Sequence, residues 1–258
     1  MSLLEDLAKA RVFDLEQPRY QGAPSHPAHA PGFNYFLHRH HARGAPEART
    51  GASGLIVTPE HSGTHIDALA HQAENLKLHG DIDVDEVQTS QGFKKLSVDG
   101  MAPIVCRGVL LDVAGDKRLE PGYAITPDDL GRAARVEIRA GDAVLVRTGY
   151  ATLWSKPAEY LNDAGVSADG SRWLIERKVG AVGADNMAFD VMNGPLDRDL
   201  NATLPGHILL LVRAGIPIIE NLNLEQLAAE KVYEFLFVCL PLKMRGATGS
   251  PVRPIAIA

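Results

Sequence analysis

The sequence has only two cysteines among 258 residues, Cys106 and Cys239, and both lie within apolar runs. Two thiols cannot supply the several cross-links of a disulfide-stapled domain, so two buried free cysteines are expected. No apolar run approaches the ~20 residues that span a bilayer, and no membrane-spanning helix is predicted. The formal net charge is −6, and no basic stretch interleaves with aromatic residues, so nucleic-acid binding is not expected.

The first residues, Met1 to Leu7, are acidic and amphipathic and lack the basic start and long apolar core of a secretory signal. A cytoplasmic protein is therefore expected. The length allows one large domain or two small ones, and no internal repeat or linker divides the chain. We predict one domain over residues 1–258. A chain of this length buries its core without a structural metal, so any metal is expected to serve function.

Strands and helices are predicted to alternate irregularly, which favours a mixed α/β domain. A short helix and its exit are expected over residues 1–20, and an irregular loop at a pocket or an interface over residues 21–54. The predicted strands are 55–58, 103–113, 143–148, 179–185, 216–220, 233–242 and 254–257, with a glycine-rich turn at 246–250. The predicted helices are 127–134, 171–178, 207–214 and 224–231, the first capped by Thr126 with Pro127 at its first position and the last capped by Asn223.

Four potential metal ligands fall within residues 61–71, HSGTHIDALAH: His61, His65, Asp67 and His71. Imidazole and carboxylate ligands together suit zinc, manganese, iron or cobalt. In an extended segment His65 and Asp67 point the same way, and a helical turn after them would bring His71 onto the same face. The spacing therefore predicts that His65, Asp67 and His71 converge on one metal ion.

A zinc-protease helix is the competing interpretation of these histidines. That motif needs a glutamate directly after its first histidine to act as general base. Ser62 stands there, followed by Gly63, which is a poor helix former, so we reject this interpretation. Histidines without a metal would account for one such residue, but not for three with an aspartate at this spacing.

The same run resembles the His-x-Gly-Thr-His-x-Asp-x-Pro-x-His signature of the metal-dependent cyclase family, which includes bacterial kynurenine formamidases and isatin hydrolases. A second match lies in residues 204–211, LPGHILLL, and 215–222, GIPIIENL. The resemblance implies a compact, swivelling β/β/α fold, assembly into homodimers or larger homo-oligomers, and one or two Mn²⁺ or Zn²⁺ ions. It also implies that His65, Asp67 and His71 are metal ligands, and that His207 and Glu220 hold or adjoin the metal.

Two departures from the formamidase pattern shift the expected substrate. Leu69 replaces the signature proline, as in the isatin-hydrolase branch, and Asn75 stands where formamidases carry a catalytic histidine. The resemblance therefore implies a hydrolase of C–N bonds in small aromatic amides or lactams, such as isatin opened to isatinate. Hydrolysis of N-formylkynurenine is one alternative, and a metal- or ligand-binding protein without catalysis is another.

Hydrolysis of an amide needs a polarised carbonyl, an activated water and a group that carries a proton to the leaving nitrogen. A divalent metal lowers the pKa of a bound water to about 7 and polarises the carbonyl. His207 and Glu220 are the expected catalytic groups that carry the proton, ahead of Glu74 and His61. The residues expected to bind the substrate are Phe33, Tyr35, His61 and Asp185.

Overall fold

A computed structural model describes residues 9–44 and 46–258 of the chain. Its strands are β1 (Val12–Asp14), β2 (Asn34–Arg39), β3 (Ser53–Val57), β4 (His65–Asp67), β5 (Lys77–Leu78), β6 (Ile82–Asp83), β7 (Gln88–Thr89), β8 (Gly92–Phe93), β9 (Ile104–Asp112), β10 (Ala124–Ile125), β11 (Ala143–Arg147), β12 (Gly165–Val166), β13 (Ala181–Ala184), β14 (Ile218–Glu220), β15 (Glu234–Cys239), β16 (Gly249–Pro251) and β17 (Ile255–Ile257).

The helices are shorter and more varied than the strands. The α-helices are α1 (Val84–Val87), α2 (Pro127–Ala133), α3 (Pro157–Tyr160), α4 (Ala168–Glu176), α5 (Pro205–His207) and α6 (Glu225–Ala229). The 3₁₀-helices are Pro27–His29, Val98–Gly100 and Tyr150–Leu153, and α5 continues directly into a π-helix, Ile208–Ala214. None of the helices in the described part of the chain is long and apolar enough to cross a membrane.

Nine strands form one mixed sheet in the order β1-β17-β15-β9-β11-β13-β14-β4-β16. The four central strands β9, β11, β13 and β14 run parallel to one another, and the outer strands pair antiparallel. The hairpin of β2 and β3 stands apart from this sheet. The predicted mixed α/β fold is confirmed.

Both faces of the central sheet are buried, because residues that alternate along its strands pack into two different cores. Val144 and Val146 of β11 pack on one face with side chains of α2, α4 and the π-helix. Leu145, between them, packs on the other face with Ile219 and Phe237. Strands covered on both faces show continuous apolar runs rather than alternation, which is the pattern seen in the sequence.

Most predicted elements are confirmed, with boundaries that differ by a few residues. Thr126 caps α2 through a capping box with Asp129, and Pro127 is its first residue, as expected. The helix predicted from 171 begins earlier, at Ala168. Its cap is Ser167, whose side chain accepts from the amide of Gly170. The expectation for residues 207–214 is confirmed as helical, although the hydrogen bonding there is of the π type.

Three expectations are wrong. Residues 21–54 are not irregular throughout, since aromatic and aliphatic side chains of β2 pair with β3 in a hairpin. Asn223 does not cap α6, which begins one residue later behind Leu224. The turn at 246–250 runs into a strand, β16, that pairs with β4. Of the helix predicted over residues 1–20, residues 1–8 lie outside the described residues, and 12–14 form β1.

Candidate metal centre

The candidate centre forms where β4 lies between β14 and β16. His65 and Asp67, at the two ends of β4, alternate with Ile66, so both face one side of the sheet while Ile66 packs into the core on the other. The antiparallel register places Glu220 of β14 opposite His65. Strand pairing thus brings a carboxylate from far along the chain to the histidine motif.

Two imidazoles and two carboxylates converge in this buried region. His65 Nε2 lies 3.5 Å from Asp67 Oδ1 and 3.3 Å from Glu220 Oε2. His207 Nε2 lies 3.6 Å from Asp67 Oδ2 and 3.3 Å from Glu220 Oε1. Nitrogen and oxygen atoms at such separations fit around an ion that each would meet at about 2.0–2.2 Å.

The two imidazoles are held so that their Nε2 atoms face the carboxylates. His65 Nδ1 donates to the carbonyl of Gly63 at 2.8 Å, and His207 Nδ1 donates to Asp190 Oδ2 at 2.8 Å. Because a carbonyl and a carboxylate only accept, each Nδ1 carries a proton. Asp190 also accepts from the amide of Gly206 at 2.7 Å. Such partners fix the tautomer and ring orientation of histidines that bind metals.

His61 and His71 form a second arm around Asp67. His61 Nδ1 lies 2.7 Å from Asp67 Oδ1, and His71 Nε2 lies 4.0 Å from Asp67 Oδ2. The two rings stack with centroids 3.9 Å apart. A side chain at Gly249 would place its Cβ 2.5 Å from His61 Cε1, so glycine there leaves room for the ring.

A hydrogen-bond chain determines the protons on His61. The hydroxyl of Thr248 donates to Glu60 Oε1, so it accepts from His61 Nε2 at 2.8 Å. Asp67 Oδ1 accepts from His61 Nδ1. Burial opposes a charge on His61, but Asp67 and Glu60 outweigh it and raise the pKa of the imidazole. Both ring nitrogens of His61 therefore face hydrogen-bond acceptors, an arrangement that favours the protonated imidazole.

The strongest sign of a cation site is the state of the two carboxylates. Asp67 Oδ2 and Glu220 Oε1 are buried and have no hydrogen-bond partner among residues 9–44 and 46–258. A buried carboxylate oxygen without a partner is costly, and a cation would satisfy it. Two groups of ligand atoms share Asp67: one with His61 and His71, the other with His65 and Glu220. The donor set fits a divalent ion such as Mn²⁺ or Zn²⁺.

Burial and charge separate the pKa values of the cluster. Burial lowers the pKa of His65 to about 4 and that of His71 to about 3, so both imidazoles are neutral at pH 7. Burial and the nearby charge of Asp67 raise the pKa of Glu220 to about 7. Burial opposes a charge on His207, but its hydrogen bond to Asp190 and the nearby charge of Glu220 outweigh burial and raise its pKa. Glu220 and His207 therefore hold a proton more readily than the same side chains do in water.

A cavity of about 170 Å³ opens above the cluster. Its floor includes His65, His207 and Glu220, and its outer part is formed by the segment before β2. The residues that line it are His26, Ala28, His29, His61, His65, His71, Gln72, Met187, Ala188, Leu204, His207 and Glu220. Four of these side chains are uncharged and apolar, which suits a small ring above a polar floor.

The structure brings together six of the predicted site residues and leaves three apart. His61, His65, Asp67, His71, His207 and Glu220 meet at the cluster. The residues that do not line the cavity are Phe33, Tyr35 and Asp185. Tyr35 is 48% exposed on β2. Asp185 is buried outside the cavity lining, where it accepts from the amides of Thr148 and Gly149 at 2.6 and 2.9 Å.

Glu74, the less favoured proton carrier, also lies away from the cavity, in an ion pair with Arg213. Two residues of the site were not predicted from the sequence: Asp190, which orients His207, and His29, whose ring stacks 5.0 Å from that of His61. The abundance of histidine before residue 61 was a signal in the sequence that could have pointed to His29. No local pattern marks Asp190 as the partner of a histidine 17 residues later.

Comparisons with known proteins show which family the chain resembles. The family model described as "Putative cyclase" matches residues 13–191. Isatin hydrolase of Roseibium aggregatum is 25% identical over 211 residues, which cover 78% of this chain and 73% of that protein. Kynurenine formamidase of Sphingopyxis alaskensis is 28% identical over 249 residues, which cover 95% of this chain and 97% of that protein.

Solved structures and plant relatives extend the likeness. Isatin hydrolase A of Ralstonia solanacearum superposes with a TM-score of 0.78 at 25% identity, covering 100% of this chain and 98% of that one. Cyclase-like protein 3 of Oryza sativa is 28% identical over 77% of this chain, and the match spans 63% of that protein's length. The family model covers well over half of the chain. This chain therefore belongs to the cyclase family, and its relatives include isatin hydrolase and kynurenine formamidase.

Proposed function

We propose that the chain is a metal-dependent hydrolase that cleaves a C–N bond in a small cyclic or aryl amide, with isatin, opened to isatinate, as the leading substrate. The observation that carries this proposal is the buried cluster of imidazoles and carboxylates below a small cavity, with two carboxylate oxygens that lack partners. The relation to isatin hydrolase and kynurenine formamidase supports it.

The proposed metal ligands are His65, Asp67 and His71. Glu220 joins His65 and Asp67 in one group of ligand atoms, and His61 joins Asp67 and His71 in the other. Two groups that share one carboxylate favour a centre with two ions, Mn²⁺ or Zn²⁺. A bound divalent ion would lower the pKa of a water and polarise the amide carbonyl.

The proposed proton carrier is the pair of His207 and Glu220. His207 Nε2 faces Glu220 Oε1 at 3.3 Å, and Asp190 supports a charge on the imidazole from its other side. A proton shared by these two atoms lies beside the floor of the cavity, within reach of a bound amide. Such a pair can accept the proton of the attacking water and return it to the leaving nitrogen.

The size of the cavity favours a compact substrate. Pockets for drug-sized ligands occupy about 300–1,000 Å³, whereas this one measures about 170 Å³. A fused two-ring lactam needs less room than an aryl formamide with an amino-acid side chain. The apolar walls at Met187 and Leu204 would enclose the ring, and the carbonyl would point to the polar floor.

The test is to load the purified protein with Mn²⁺ or Zn²⁺ and to follow the ring opening of isatin and the deformylation of N-formylkynurenine. We expect metal-dependent turnover of isatin that a chelator abolishes and added metal restores. His207→Gln should lose this activity. His79→Gln, whose ring bonds to the carbonyl of Val212 away from the cavity, should keep it.

Two outcomes would reject different parts of the proposal. A protein without stoichiometric divalent metal that added Mn²⁺ or Zn²⁺ does not activate is not a metal-dependent hydrolase. A metal-loaded protein inert to both compounds excludes the two named substrates and leaves the reaction class open to other cyclic amides.

Hydrolysis of N-formylkynurenine is the second candidate. The observation in its favour is the end-to-end match to the formamidase of Sphingopyxis alaskensis, which covers 97% of that protein. Against it, Asn75, at the position where formamidases carry a catalytic histidine, has an exposed side chain outside the cavity. A kcat/KM for N-formylkynurenine that exceeds the value for isatin would favour this candidate.

We also propose that the protein forms a homodimer through the hairpin of β2 and β3. This hairpin exposes a set of large apolar side chains, which are Tyr35, Phe36, Leu37, Leu55, Ile56 and Val57. A two-stranded hairpin of this kind is only marginally stable in water, and a partner surface would cover it. Light scattering should give the mass of a dimer for the wild-type protein and the mass of a monomer for Ile56→Arg. Val105→Arg, at a site with the same 59% exposure, should leave the dimer intact.

A further inference from the structure

We propose that Arg19 is a positioning residue of the metal centre, which holds the loop between His61 and His65 in place. Its Nη1 donates to the carbonyl of Ser62, and its Nη2 donates to the carbonyl of Thr64. The guanidinium therefore bridges the two residues on either side of Gly63. The inference deepens the proposed function and rests on it, because it concerns the same centre.

The backbone conformation at Gly63 and the lack of a side chain there leave room for the guanidinium of Arg19. Gly63 has a φ of +64°, which favours glycine. A Cβ there would lie 2.6 Å from Arg19 Nη1. The third carbonyl of the loop, that of Gly63, accepts from Asn221 Nδ2 at 3.1 Å. Side-chain donors thus reach all three carbonyls of residues 62–64.

The loop between His61 and His65 contributes to the metal centre because it fixes the orientation of the His65 imidazole. The carbonyl of Gly63 accepts from His65 Nδ1 at 2.8 Å, and this bond turns Nε2 toward Asp67 and Glu220. A shift of the Gly63 peptide would rotate the imidazole away from the carboxylates. Arg19 bonds to the Ser62–Gly63 and Thr64–His65 peptides, and it thereby keeps the Gly63 carbonyl between them in position.

Arg19 is itself held rigidly enough for this role. Its Nε donates to Glu16 Oε1 at 2.8 Å, and its side chain is only 15% exposed. The neighbouring amide of Gln17 donates to Thr64 Oγ1 at 2.8 Å, which ties the same segment to the loop a second time. A planar fork of donors suits two carbonyls at once, whereas a lysine offers a single point of attachment.

The test compares Arg19→Gln and Arg19→Lys with the wild-type protein by calorimetric titration of Mn²⁺ into the metal-free full-length chain. The matched control is Arg253→Gln, since Arg253 also pairs with Glu16 and with Asp14 but is 70% exposed and does not bond to residues 62–64. We expect the Kd for Mn²⁺ to rise about 10- to 100-fold in Arg19→Gln, the usual effect of losing a group that supports metal ligands. The Kd for Mn²⁺ in Arg19→Lys should lie between the values for the wild-type protein and for Arg19→Gln. The Kd in Arg253→Gln should stay within about twofold of the wild-type value.

Thermal unfolding of each metal-free protein separates positioning from general stability. A Kd for Mn²⁺ in Arg19→Gln within twofold of the wild-type value overturns the inference. An equal loss of affinity in Arg253→Gln overturns it as well. If Arg19→Gln does not fold, Arg19→Lys decides by the same criterion. If the wild-type protein binds neither Mn²⁺ nor Zn²⁺, the proposed function fails together with the inference, whereas unchanged binding in the variants removes the inference alone.

Discussion

Replacement of Asp190 by asparagine removes the charge behind His207 while keeping the shape of the side chain. Asp190 Oδ1 accepts from the amide of Gly206, and Oδ2 accepts from His207 Nδ1. An asparagine has one acceptor and one donor in these two places. If its oxygen faces Gly206, its amide donates to His207 Nδ1 and moves the ring proton to Nε2, which faces Glu220. If the asparagine side chain has the opposite orientation, its NH₂ group faces the backbone N–H of Gly206, and two donors then face each other without an acceptor.

The expected magnitude follows from the bond that is lost. A hydrogen bond to a charged group contributes about 1.5–3 kcal/mol. Each 1.36 kcal/mol corresponds to a factor of about ten in rate, so kcat/KM for isatin should fall roughly 10- to 150-fold. Asp169→Asn is the control, since Asp169 is 74% exposed and pairs with Arg172, three residues later in the chain.

The pH dependence provides a second readout. The Asp190 hydrogen bond is the largest influence that raises the pKa of His207 against burial, so Asp190→Asn should lower that pKa. The pH profile of kcat/KM should therefore shift toward lower pH. The pairing also adds stability that is complete below the ordinary imidazole value of 6.5 and is lost as the pH rises through the raised pKa. Unchanged kcat/KM with an unshifted profile would refute the role assigned to Asp190.

Three further predictions concern the metal and the cavity. Asp67→Asn should lose metal binding and activity together, because Asp67 belongs to both groups of ligand atoms. Metal analysis and an activity assay of the purified variant test this, and retained activity would refute the role of Asp67 as a ligand. The affinity for Mn²⁺ should rise from pH 6 to pH 8, because Glu220 and His207 must release protons before an ion can bind. The pKa of Glu220 is raised to about 7, within this range. Calorimetric titrations at several pH values measure the affinity, and a Kd that does not change with pH would contradict this prediction. His29→Phe should raise KM about 10-fold for isatin through the loss of a polar contact at the cavity wall, with unchanged Kd for Mn²⁺, and a parallel loss of metal affinity would contradict this.

Local patterns in the sequence were sufficient for elements whose signals are themselves local. The capping box of Thr126 and Asp129 begins α2 because the donors and acceptors involved lie within four residues. The predicted strand 143–148 is confirmed because its first four residues, 143–146, are apolar on both faces, and both faces are covered. The hairpin of β2 and β3 was missed because its register depends on pairing across a long connection rich in glycine and proline.

The sequence by itself determined the chemistry of the centre, because three histidines and an aspartate within residues 61–71 supply the ligand types of a divalent metal site. Only the tertiary structure decided which carboxylates join them and how each imidazole is aimed. Glu220 arrives through antiparallel pairing, Asp190 through the packing of α5, and Arg19 through the path of the segment after β1. These contacts join residues distant in sequence, so their geometry depends on sheet order and packing rather than on spacing along the chain.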